Sequence, residues 1–401
     1  MKFITKVGIV LVALALATGT YAYYEYNQII KSEPSIQVFT FNDQAIEYKT
    51  ATVEYSVLGG LIPFDHKYNQ DEVLTFNTDQ IVNNLLVNPE TNVKVTTPSQ
   101  KVIVSRGSQT LVFDEDGKYK VEIDEKLDWS IAHYEFFVDV NNLPNITISN
   151  LTPYQGEVLI IDISNIKQNS TIEVQNQFSP SVILQQTYTA RFYLPMEFKT
   201  EAKSYPLTIT INNKTYVYTL DVKAYDFNKQ YFSIDATIIK NTTGNPVAIN
   251  EFRATIHPLY ATAEPVEYWQ GNFIVPVINA RISSNFGDMR FINGAKTPSR
   301  HSGIDYAISC GTDVSASNSG KVDYAGFLIL TGNTVVIDHG LGLKTTYLHM
   351  KDLTVKTGDK VNKGQLIGHV GTTGVSTGCH LHFQAMIKTQ QFNPNSLYHI
   401  E

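Results

Sequence analysis

The sequence has no excess of basic charge. Its 31 Lys and Arg stand against 38 Asp and Glu, a net charge of −7 with a pI near 5.8. That argues against a clustered basic surface and so against general nucleic-acid binding. There is no low-complexity tract and no heptad run, and 43% hydrophobic and 11% aromatic residues leave ample material for packed cores rather than disorder. Glycine runs at 358–360 and 371–374 are followed by no helix signal, which a phosphate-binding loop would need, so they read as hairpin punctuation. Cysteine is nearly absent. Cys310 and Cys379 are the whole complement of the 401 residues. Histidine is scarce before residue 300, where His66, His133 and His257 stand isolated and read as structural or surface residues.

One apolar run is long. Lys2 and Lys6 precede an uncharged stretch over residues 7–24 with a dense apolar centre at 7–17. Residues 1–24 therefore read as a signal peptide, with Thr20-Tyr21-Ala22 offering small residues for cleavage after Ala22, or as an uncleaved N-terminal membrane anchor. Tyr21, Tyr23, Tyr24 and Tyr26 would suit a membrane interface in the second case. Both alternatives place the rest of the chain outside the cytoplasm. In an exported chain Cys310 and Cys379 become candidates for a disulfide.

A chain of 401 residues implies two to four domains. Up to about residue 225 the pattern is β. Tyr119, Val121 and Ile123 alternate with Lys120, Glu122 and Asp124, and Tyr134, Phe136, Val138 and Val140 share a face opposite Glu135 and Asp139. Period two marks half-buried antiparallel strands. The pattern recurs at Tyr205, Leu207, Ile209 and Ile211, which turn at Asn212-Asn213-Lys214 and return through Tyr216, Tyr218, Leu220 and Val222. We expect an all-β, multidomain chain: a β-sandwich module at 34–143, an immunoglobulin-like β module at 144–225, a connector at 226–274, and an antiparallel β domain at 275–401. Prolines and Gly244 argue against a long helix in the connector, leaving room for a short one within 246–261.

Seven of the ten histidines follow residue 300. In His301-Ser302-Gly303-Ile304-Asp305 the two end residues are good zinc ligands. A fully extended strand would hold them about 13 Å apart, so the chain must bend, and Ser302-Gly303 is the permissive place. In His380-Leu381-His382-Phe383, alternation puts both histidines on one face and Leu381 and Phe383 in a core. His349 lies on a strand after the turn at 340–342, on the face of Tyr347 and Thr345. His339, His369 and His399 read as structural or solvent-facing. Each signal alone is weak; their combination in one glycine-rich β segment is specific.

The segment resembles the lysostaphin-type zinc endopeptidases, the duplicated-hybrid-motif peptidases. The matching stretches include Ser284-Asn285-Phe286-Gly287, His301-Ser302-Gly303-Ile304-Asp305, Ile337-Asp338-His339-Gly340, Tyr347-Leu348-His349, Lys363-Gly364-Gln365-Leu366 and Gly378-Cys379-His380-Leu381-His382-Phe383. The resemblance covers under a third of the chain. It implies one Zn2+ held by His301, Asp305 and His382, with His349 and His380 as the catalytic pair. It implies cleavage of peptide bonds in peptidoglycan stem peptides or cross-bridges, in the extracytoplasmic envelope. Since Asp305 and His382 would share one metal, Cys310 and Cys379 would be neighbours, and pairing is favoured over free thiols. Three protein ligands leave a fourth zinc position open, as a catalytic site requires. The competing class is a non-turnover envelope binding or regulatory protein whose peptidase-like domain is covered by the upstream modules or the connector. A biotinyl- or lipoyl-like carrier is set aside for want of a Met-Lys-Met-like attachment site. The absence of a wall-targeting repeat favours the cell's own wall over a competitor's. Which bond is cut, the oligomeric state and the role of the β modules stay open at this point.

Overall fold

The computed structural model describes residues 2–31, 39–46, 51–58, 61–68, 74–126 and 131–400. The chain is mostly β. A helix, Lys2–Lys31, carries the N-terminal apolar run. Among the described residues no helix is long and apolar enough to cross a membrane. The side chain of His66 lies outside the described residues.

Packing divides the chain into two units: Met1–Pro144 with Asn165–Lys167, and Asn145–Ser164 with Gln168–Glu401. In the first, the expected alternation is realised residue by residue. Val121 faces Phe136 and Ile123 faces Tyr134 across the Gly117–Lys126 and Ile131–Val140 ladder. Their apolar faces join Phe39, Phe41, Leu85 and Phe113 in one core. The opposite face is charged, with Glu122 paired to both Lys94 and Lys120.

The second unit begins with a four-stranded sheet (Asn145–Ile148, Val158–Ser164, Thr189–Pro195, Leu184–Gln185) and a three-stranded one (Ile172–Gln175, Ser204–Ile211, Lys214–Asp221). Ile211 pairs Lys214, so Asn212-Asn213 forms the two-residue turn, at φ +47° and +69°. Asparagine tolerates the positive φ that such a turn demands.

The connector contains a longer helix than its prolines suggested. Pro246–Ala261 runs 16 residues, with the Asn245 side chain capping the Val247 N–H. Pro246 sits at the first turn, where its missing N–H has no helical partner anyway. Ile256 and Tyr260 bury against Leu328, Val336 and Met386. This burial stabilises the helix despite Pro258 near its end.

The sheet of the C-terminal domain runs Arg281–Ser284, Ile304–Ala307, His380–Ile387, Leu343–Met350, Gly332–Gly340, Gly320–Leu328, Lys360–Val361, with Gln390–Phe392 beside His380–Ile387. Its core takes in Tyr347, Leu381 and Phe383 from the sheet, Trp269 and Phe273 from the stretch before it, and Tyr193 from the Thr189–Pro195 strand. Lys344 is fully buried, its Nζ 2.8 Å from both Asp323 and Asp338. Cys310 and Cys379 form a disulfide with Cα atoms 5.1 Å apart. The 69-residue separation implies that the crosslink contributes about 4 kcal/mol through the unfolded chain. The C310S/C379S double variant should therefore unfold at a markedly lower urea midpoint. An unchanged midpoint would deny the bond a stabilising role.

Candidate active site

Asp305 and His382 sit directly opposite each other where Ile304–Ala307 pairs with His380–Ile387. Cross-strand partners share a face, so the ladder itself brings carboxylate and imidazole together. Leu381 and Phe383 are fully buried on the other face, as alternation requires. His301 approaches from the preceding loop. Its Nε2 lies 3.0 Å from Asp305 Oδ1 and 2.9 Å from His382 Nδ1, while His382 Nδ1 is 2.7 Å from the same carboxylate oxygen. Gly303 matters here for a different reason than a bend: a Cβ would stand 2.2 Å from the Phe383 carbonyl oxygen and 2.9 Å from His382 Nε2. The glycine lets the loop lie against the histidine strand.

Hydrogen bonds fix which atoms face inward. His301 donates Nδ1–H to the Asn285 carbonyl at 2.8 Å, an acceptor only, so its Nε2 lone pair points at the triad. Asp305 gives Oδ2 to the Arg290 guanidinium and keeps Oδ1 for the cluster. His382 Nε2 lies 3.3 Å from the Ser302 hydroxyl, which also accepts from Gln384. Burial would raise the Asp305 carboxyl, but its contacts with His301 and His382 outweigh that and hold it well below the usual range. Burial pushes His382 down to about 4, with Asp305 opposing. The result is an ionised carboxylate beside a neutral His382 ring. Three electron-pair donors, all buried, crowd one point, and a cation relieves their repulsion. The donor set fits a metal ion. Asn285, Ser302, Gln384 and Arg290 were not assigned these supporting roles from sequence; single polar residues far apart in the chain carry no periodic signal.

His349 corrects the alternation reading. Tyr347 packs on Phe383 in the core at 5.2 Å between ring centres, and Thr345 is buried with it. His349 instead adopts φ +63° at the end of its strand, one residue past the Leu348–His382 pair. That left-handed turn swings its ring to the triad side, 4.9 Å from His380 and 6.1 Å from His382. His349 donates Nδ1–H to the Thr373 carbonyl at 2.8 Å, and His380 donates Nδ1–H to that of Gly378 at 2.8 Å. Each therefore turns its Nε2 away from that carbonyl. That of His380 is 3.8 Å from Asp305 Oδ1. Burial, reinforced by His380 and His382, lowers His349 to about 3, so it is neutral at ordinary pH.

All five residues line one cleft of about 650 Å3. Its other walls come from Glu197, Phe198 and Lys199 and from residues between 232 and 260, including Phe252 and His257.

His339 is structural and fully buried, not solvent-facing. Its Nδ1–H goes to the Ser319 carbonyl, its Nε2 faces the Thr345 hydroxyl, and its ring meets Phe273 edge-on. Burial lowers it to about 4, the Ser319 carbonyl opposing. The unfolded chain, with a histidine pKa near 6.5, takes up this proton first. Stability from this residue is therefore present above about pH 6.5 and is lost as pH falls toward 4, by about 3 kcal/mol. Replacing His339 with glutamine should flatten the fall in Tm between pH 7 and 4; an unaltered pH slope would contradict this. His369 is held by Asp352 at 2.5 Å and faces Asp313 at 3.5 Å, away from the triad.

Residues 299–394 match the model of peptidase family M23. Over 129 residues, 32% of this chain and 30% of the relative, the sequence is 43% identical to the DD-carboxypeptidase/endopeptidase Mpg of Neisseria meningitidis serogroup B. Over 113 residues, 28% of this chain and 26% of the relative, it is 42% identical to the peptidoglycan DD-endopeptidase ShyA of Vibrio cholerae serotype O1. The chain thus spans under a third of the length of these curated relatives. The catalytic domain of the antimicrobial peptidase lysostaphin from Staphylococcus simulans is 33% identical, with 30% of this chain and 94% of that one covered and a TM-score of 0.28. The C-terminal part of this chain, carrying the histidine and aspartate cluster, belongs to peptidase family M23.

Proposed function

We propose that the chain is an exported zinc metalloendopeptidase that hydrolyses peptide bonds in peptidoglycan stem peptides or cross-bridges. One observation carries the reading: His301 Nε2, Asp305 Oδ1 and His382 Nδ1 converge within 3.0 Å of one another, beside two further histidines whose Nδ1 atoms are tied to backbone carbonyls. Two imidazoles and one carboxylate suit zinc, and three protein ligands leave a position for substrate. In this reading His301, Asp305 and His382 hold the metal. Zinc bound there supplies Lewis acidity toward a carbonyl oxygen and lowers the pKa of water. His349 and His380 accept a proton from the attacking water at Nε2 and return it to the departing amine. Their fixed Nδ1–H bonds keep the rings aimed for that exchange. The names of the Neisseria and Vibrio relatives support a wall-peptide substrate.

The same proposal covers the rest of the chain. Residues 1–24 act as leader or anchor and put the protein in the extracytoplasmic envelope. The two sheets within 145–221, one of four strands and one of three, support an immunoglobulin-like β-sandwich at 144–225. The sheets upstream support a first sandwich at 34–143. The connector at 226–274 then leads into the peptidase domain at 275–401.

Digestion of purified peptidoglycan from several wall types, followed by mass spectrometry, tests this reading. New peptide ends should vanish on chelation and return with zinc, and their masses name the bond. A chain that binds one zinc yet cleaves none of the walls would instead be a non-turnover binding protein.

A further inference from the structure

Three Lys or Arg side chains line the cleft: Lys199, Arg290 and Arg300. Lys199 is paired with Glu197 at 3.1 Å, and Arg290 with Asp305. Among the described residues Arg300 makes no ion pair and no side-chain hydrogen bond. The Asp288 carboxylate, whose charge reaches it, instead accepts the Asn285 N–H at 2.8 Å.

Arg300 is nevertheless held in place. Its guanidinium carbon lies 4.4 Å from the centre of the Phe227 ring and 5.5 Å from that of Phe198. Both rings are anchored. Phe198 packs on Phe286 at 5.6 Å, and Phe227 fills the space where any side chain on Gly287 would fall. Stacking on aromatic faces uses none of the five guanidinium N–H donors. A planar cation fixed by its faces, with its edge unspent and a place in the cleft beside His301, matches a carboxylate in charge and fork geometry. The ordering of a long side chain is already met in the free protein, which favours binding.

We propose that Arg300 is a specificity-determining residue that binds a carboxylate of the peptide substrate within this cleft. The proposal rests on the peptidase reading above. Two sources can supply that group. One is the C-terminal carboxylate of the peptide, and the other is a carboxylate on an internal acidic or diamino residue.

The test uses the full chain and three synthetic wall peptides of one sequence: with all carboxylates free, with only the C-terminus amidated, and with only the internal carboxylate amidated. In the wild-type protein, amidation of the recognised group should raise KM by about 10- to 100-fold with little change in kcat. The position whose amidation does so identifies the source. Arg300→Gln should show the raised KM on all three peptides, with R300K recovering part of the discrimination and both variants keeping wild-type zinc content. Equal KM for all three peptides in the wild type would overturn the proposal without recourse to any variant. So would a loss in R300Q of the same factor on the free peptide and on the one amidated at the recognised group, the mark of a purely structural clamp. Calorimetric binding to chelator-treated protein separates the two levels of inference. Carboxylate-dependent binding there, with no hydrolysis by the zinc-loaded protein, would sink the peptidase reading and keep the subsite; hydrolysis by the zinc-loaded protein without discrimination would do the reverse.

Discussion

His382→Ala should bind no zinc at micromolar concentrations and hydrolyse wall peptides at least about 10^4-fold more slowly than wild type. The expectation follows from how the cluster is built. His382 contacts both other members of the cluster, its Nδ1 touching Asp305 Oδ1 and His301 Nε2. Removing its ring leaves two donors, and Asp305 still has Arg290 on its other oxygen. A carboxylate already shared with a guanidinium and one imidazole make a poor zinc site. The ring is also buried, so zinc content should be measured on protein whose Tm and circular dichroism show that it is folded. A folded variant with one zinc per chain and wild-type rates would remove His382 from the ligand set and end the metal assignment made here.

Replacing His349 with alanine should separate binding from chemistry. We expect one zinc per chain, an almost unaltered Tm and a fall in kcat of about 10^2- to 10^4-fold. His349 touches the triad only through ring contacts and anchors itself on the Thr373 carbonyl, so its loss takes no donor from the metal. The left-handed φ of +63° is already borne by a residue with a Cβ, and alanine adds no new backbone strain. A large loss of zinc would make the residue a ligand. Wild-type turnover with zinc intact would leave proton transfer to His380 or to solvent.

The difference between these two histidines also shows what can be read from sequence. His380 and His382 were legible because a strand has one period and the core residues between them obey it. His301 and Asp305 were legible as donor types, but their meeting with His382 depends on which strands pair, and the residues carry no direct record of that. His349 was assigned to the wrong face because alternation assumes extended backbone, and one positive φ at a strand end reverses it. Gly303 was visible as a glycine, but the reason for it, the Phe383 carbonyl 80 residues away, was not. The Pro246–Ala261 helix was underestimated because local propensity was weighed without the burial of Ile256 and Tyr260. Nothing in the sequence sets Arg290 and Arg300 apart from other cations; only their different partners in the cleft distinguish them.

The aromatic packing around Trp269 has a consequence for how such a protein can change over generations. Tyr193 lies tilted against Trp269 with ring centres 5.8 Å apart, and Trp269 in turn meets Phe273 at 6.0 Å, within the core that also supports the histidine strand. A recombination joint placed between residues 225 and 275 would leave these rings facing unrelated neighbours or water. The stretch from residue 145 onward is therefore expected to be inherited as a block. Exchange with foreign modules is then confined to sequence before residue 145, and a substitution at Tyr193 is expected to be tolerated only alongside compensating change at Trp269.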